Sequence, residues 1–111
     1  MAFTMVTITS SLDDPEGNPA NGTATVKLTE TLVNGTEVVP AGSVQAVITN
    51  GQLLKPDGQG AFELAATDDV GTQPEGAEYE WVILLDGNAE PIAFTEPLPH
   101  SPSTVDLSTW L

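Results

Sequence analysis

Between Ala77 and Leu85 every second residue is large and apolar. Tyr79, Trp81, Ile83 and Leu85 fall on one side of an extended chain. Side chains alternate across a β-strand but recur every three or four residues on a helix, so this spacing predicts a strand. On the opposite side Glu78 and Glu80 give way to Val82 and Leu84. The strand therefore begins with one wet face and ends apolar on both. Its second half is either central and covered or part of a contact surface, and the covered reading is preferred.

The rest of the chain reads as shorter strands that need this one to pack against. Residues 3–9 are rich in Thr and β-branched residues, with Val6 and Ile8 on one face and Phe3 and Met5 on the other. Residues 13–22 hold two prolines, two glycines and several Asp and Asn residues, the composition of a loop. Residues 23–32 alternate cleanly, with Ala24, Val26, Leu28 and Leu32 opposite a Thr and Lys face. Asn34-Gly35 turns the chain, and residues 37–39 form a brief strand that Pro40 limits to an edge or a strand end. Residues 43–49 alternate again, placing Val44, Ala46 and Ile48 together. Asn50-Gly51 then signals a tight hairpin into residues 52–54. Residues 61–65 place Phe62 and Leu64 together, and the turn-rich corner 67–76 leads into the strongest strand. After Asp86-Gly87, residues 91–95 are the last strand, with Ile92 and Phe94 inward.

Short strands at near-regular spacing, separated by turn signals and without a helical period, predict an all-β fold. The expectation is a single antiparallel β-sandwich, Ig-like or related, with no substantial helix. At 111 residues one domain suffices. It is assigned to residues 1–104, followed by an apolar docking tail over 105–111. Trp110 in that tail is too large an apolar group to stand alone and is expected to dock on the sandwich or on a neighbouring subunit.

Charge narrows the function. Sixteen acids face two bases, Lys27 and Lys55, for a formal charge of −14. Binding nucleic acid requires cations to neutralise phosphates, so that class is set aside, and an anionic membrane surface repels such a chain. No apolar run is long enough to span a bilayer, and the first residues lack the basic and apolar regions of a signal peptide. The acids either keep a small β protein soluble and guard its edges or meet a basic partner.

Chemistry is sparse. His100 stands near Ser101 and Ser103 in a proline-rich tail with no nucleophile motif. The pairs Glu78 with Glu80 and Asp68 with Asp69 are carboxylates without a cleft to work in. Asp14, Glu16 and Asn18 offer oxygens of the kind calcium takes, but their spacing departs from the EF-hand loop and suits turn formation equally. Tyr79, Trp81 and Trp110 are the aromatic candidates for a sugar platform, and two of them lie on the core side of the strongest strand. The chain is read as a non-enzyme, with no catalytic residue, cofactor or metal assigned.

From Leu64 to Trp81 the sequence resembles a pattern of tail-associated proteins of phages infecting actinobacteria, namely the small N-terminal β-sandwich module of their minor tail and fibre proteins. Residues 17–24 resemble that family's acidic loop, residues 44–51 its hairpin, and Val105-Asp106-Leu107 its last turn. The likeness spans nearly the whole chain in short pieces. The family module commonly anchors a longer fibre, whereas the sequence here ends at Leu111 without a shaft. The resemblance implies a virion structural protein of tail or fibre-attachment type, assembled in the host cytoplasm. It would bind other virion proteins of the tail, baseplate or capsid and form a homo-oligomer. Capsid decoration and a carbohydrate-binding adhesion module are the alternatives. Three stretches are the candidate interfaces. They are Val105, Leu107, Trp110 and Leu111 in the tail; the edge Glu37, Val38 and Val39; and, for a basic partner, the acidic loops of residues 13–18 and of Asp68 and Asp69.

Overall fold

The computed structural model describes residues 3–87 and 90–111. Among these residues ten strands run in chain order: β1 (Met5–Thr9), β2 (Gly22–Leu28), β3 (Leu32–Asn34), β4 (Glu37–Val39), β5 (Gly42–Thr49), β6 (Gln52–Leu54), β7 (Phe62–Ala65), β8 (Tyr79–Leu85), β9 (Ile92–Glu96) and β10 (Thr104–Asp106). A 3₁₀ turn, Leu107–Trp110, follows. The strands form a five-stranded sheet in the order β6-β5-β2-β8-β9, a three-stranded sheet β10-β1-β7, and the hairpin β3-β4. The fold is all-β and sandwich-like, as the alternation predicts. One pairing departs from antiparallel: β10 lies parallel to β1, with Thr7 opposite Thr104. This strand crosses the boundary drawn at residue 104, so the tail begins as part of a sheet.

The core lies between the inner faces of the two sheets. β8 buries Tyr79, Trp81, Ile83 and Leu85, while β1 buries Val6 and Ile8. Trp81, 1% exposed, is the centre. Phe62 of the other sheet meets it edge-on at 6.2 Å, and Phe94 on the neighbouring strand stacks on it at 5.7 Å. Trp110 closes the cluster, 5.7 Å from Trp81 and 6.1 Å from Phe94. The C-terminal Trp thus docks on its own sandwich. Truncating a buried Trp to Ala removes about 3–5 kcal/mol. The Tyr79 hydroxyl donates to the Ala65 carbonyl at 2.6 Å, a bond between the sheets.

Three sequence expectations change. Phe3 is buried, unlike exposed Met5 with which the alternation grouped it, and lies ahead of β1, which begins at Met5. The run 23–32 breaks after Leu28, and β3 leaves to pair with β4, with Val33 bridging Gln73 through two 2.8 Å bonds. Val44 shares the inward face of Ala46 and Ile48 yet is 48% exposed, because three strands do not cover five. Asn50-Gly51 holds as the hairpin turn, with φ of 52° and 82°. A Cβ at Gly51 would lie 2.6 Å from the Leu12 carbonyl, so the turn requires glycine for its conformation and its neighbour alike.

Candidate functional site

The acidic corner is a structural hub. Asp69 accepts the Thr4 backbone N–H and the Thr4 hydroxyl, both at 2.7 Å. Asp68 accepts the His100 backbone N–H at 2.7 Å, and its carboxylate lies 2.8 Å from His100 Nδ1. That contact raises the His100 pKa above its ordinary value, chiefly through the hydrogen bond. Between them the Thr67 hydroxyl accepts the Leu98 N–H, and Asn34 donates to the Val70 carbonyl and the Thr72 hydroxyl. Asp68 and Asp69, candidates for a basic partner, are thus engaged with their own chain. The other acidic loop closes on itself. Asp14 accepts the N–H groups of Glu16 and Asn18, each at 2.9 Å. A cleft of about 580 Å³ opens beside it, lined by Asp13, Asp14, Glu16 and Asp86 along with Leu85 and Ile92. Among the described residues no group of three or more His, Asp or Glu side chains gathers to hold a metal.

The other candidates divide by burial. Leu107 is fully buried, Val105 and Trp110 pack half-buried against the core, and Leu111 is 56% exposed. Asp106 caps the 3₁₀ turn by accepting the Ser108 N–H, which lowers its pKa. On β4, Val39 packs against the core, Glu37 is half-buried and Val38 stands exposed opposite exposed Val33. Tyr79 and Trp81, weighed as sugar platforms, are core residues.

The surface that sequence reasoning missed is the outer face of the five-stranded sheet. Val82 is 44% and Leu84 51% exposed, so the second half of β8 is not covered on both sides. Register extends this patch across the sheet. One row runs Leu54, Val47, Thr23, Leu84 over four strands. The next runs Gln45, Thr25, Val82, Ala93, and a third runs Ser43, Lys27, Glu80, Thr95. In these rows Glu80 is the one acid and Lys27 the one base. The signal was present in β2: a strand whose outward face is Thr and Lys is not covered by another layer, and its neighbour shares that face. Among the described residues no helix is long and apolar enough to cross a membrane.

Comparison with known protein families, curated proteins and solved structures finds no match to this chain. Its class rests on its own geometry, an all-β sandwich with one charge-poor outer face.

Proposed function

We propose that the chain is a non-enzymatic structural protein of a phage particle, of tail or fibre-attachment type. It docks on other virion proteins through the outer face of the five-stranded sheet. The observation that carries this reading is the near absence of charge on that face in a chain of formal charge −14. Protein surfaces that meet only water are rich in charge, whereas interface centres are depleted of it. Exposed Val82 and Leu84 supply apolar area beside threonines. The same balance of one acid and one base lets copies of the chain meet there despite their net charge. The likeness of residues 64–81 and 44–51 to phage tail modules supplies the setting.

The test is to locate a labelled chain on intact particles by electron microscopy, alongside the Leu84→Lys variant. Wild-type chain at the tail, with a folded variant missing from particles, is the expected result. Chain found on heads alone would move the reading to capsid decoration, and chain absent from particles would end it.

A further inference from the structure

The three-stranded sheet ends in an edge that is open in a particular way. β7 pairs with β1 antiparallel, from Met5 opposite Ala65 to Ile8 opposite Phe62. Just beyond the ladder, the Ala66 N–H donates to the Thr4 carbonyl. Bonded and non-bonded pairs alternate in an antiparallel ladder, so Val6–Leu64 and Ile8–Phe62 are bonded and Thr7–Glu63 and Met5–Ala65 are not. Two contacts agree with this phase. The Thr7 N–H donates to Ser103 on the far side of β1, and the Ala65 carbonyl accepts Tyr79. Glu63 therefore turns its N–H and its carbonyl away from β1, to the side where, among the described residues, no strand forms a ladder with β7; β6 reaches only Ala61, just ahead of it.

That edge borders an apolar groove of about 450 Å³. Met5 and Leu64 stand on one side, Val39, Pro40 and Val44 on the other, and buried Val26 lies beneath. Val44, 48% exposed, is an apolar group left open by the mismatch of three strands over five, while Met5, 39% exposed, reaches the rim from the outer face it shares with Glu63. The side chain of Glu63 is exposed, on the face opposite Leu64.

The geometry points to β-strand addition: an extended segment of a different protein, alternately apolar and basic, pairs with the edge of β7. Its backbone bonds Glu63, its apolar side chains enter the groove, and a Lys or Arg between them faces the Glu63 carboxylate. Charge selects this occupant over a second copy. Two β7 edges paired about their centre bring acidic residues together in chains of formal charge −14, and like charges across strands destabilise. This proposal uses a different surface from the outer face and stands without it.

The probe is a capped peptide, acetyl-Ser-Val-Lys-Val-Lys-Val-Ser-amide, beside a control with Glu in place of Lys. Binding is followed by titration calorimetry and by amide exchange of the protein. The Lys peptide is expected to bind saturably, to slow exchange at Glu63 and Ala65 at least tenfold, and to weaken severalfold as salt rises. Glu63→Lys, at an exposed site, is expected to weaken the Lys peptide at least tenfold and to favour the Glu peptide. Val44→Lys, which puts a long charged side chain in the groove, should weaken both, and Leu84→Lys on the outer face should weaken neither. Absence of saturable binding, protection centred on Val82 and Leu84, or equal binding of both peptides overturns the proposal. So does protection of Glu63 that rises with protein concentration alone, which assigns the edge to a second copy.

Discussion

The two acidic loops are alike in composition and opposite in role. In residues 13–18, Asp14 reaches only two and four residues along the chain and shapes its own turn. In the corner that begins at Ala65, successive residues reach 14 to 65 positions away. They bind Tyr79, Thr4, Leu98, His100 and Asn34 in turn. One loop is an ornament on the sandwich, and the other ties Thr4, the segment at Leu98 and His100, and the β3-β4 hairpin to it. Aspartate in a turn is therefore no guide to its importance. What matters is whether the donors it satisfies are local or distant.

Alkali acts most strongly on the distant anchors. Burial pushes the Tyr79 hydroxyl up from 10.0 to about 12. Below pH 10 the hydroxyl is neutral in both folded and unfolded chains and its contribution is complete. Between pH 10 and 12 the unfolded chain ionises first, and stability falls by roughly 2–3 kcal/mol. Denaturant titrations across that range should show the loss, and Tyr79→Phe should remove its pH dependence. A Tyr79→Phe chain that loses stability as steeply would show that Tyr79 is not the group responsible.

Next in size is Asp69→Ala, which strips two charge-assisted bonds from Thr4 and should cost about 2 kcal/mol. Thermal melting should fall by about 8 °C at this chain length. Asp14→Ala removes a local turn contact and should cost about 0.5–1 kcal/mol. Because each change also relieves repulsion in an acidic chain, Glu16→Gln serves as the charge-only control. If Asp14→Ala proved as damaging as Asp69→Ala, the distinction between local and distant anchoring would fail. The smallest effect belongs to His100. Its raised pKa means that the pairing with Asp68 is complete below the ordinary His value and fades as pH rises through the folded value. An NMR titration should place the midpoint above 6.5, and Asp68→Asn should bring it down.

Part of this architecture is legible in the sequence. β8 is legible from Tyr79, Trp81, Ile83 and Leu85, because burial of one face imposes a period of two. Asn50-Gly51 is legible because few residue pairs tolerate two positive φ angles. The hub is not legible, since Asp69 and Thr4 lie 65 residues apart and no local pattern links them. The uncovered face of Val82 and Leu84 is not legible, because apolar residues on both sides of a strand do not say how many layers exist. The groove beside Val44 depends on a mismatch between two sheets, a property no single strand encodes. The role of the tail was half legible: Trp110 advertised a docking site, but its partners Trp81 and Phe94 are settled only by the fold.

The parallel pairing of β10 with β1 has a mechanical consequence. β1 starts at Met5 and β10 ends at Asp106, so a pull applied through the chain before one and after the other draws the two strands past each other lengthwise. Their cross-links, among them Thr7 to Ser103 and Thr9 to Val105, are then loaded together instead of opening one by one like a zipper. Leu107 and Trp110, seated in the core just beyond β10, resist the same slip. Tension carried end to end would thus meet the sandwich in its stiffest direction, whereas a pull across the strands would peel them.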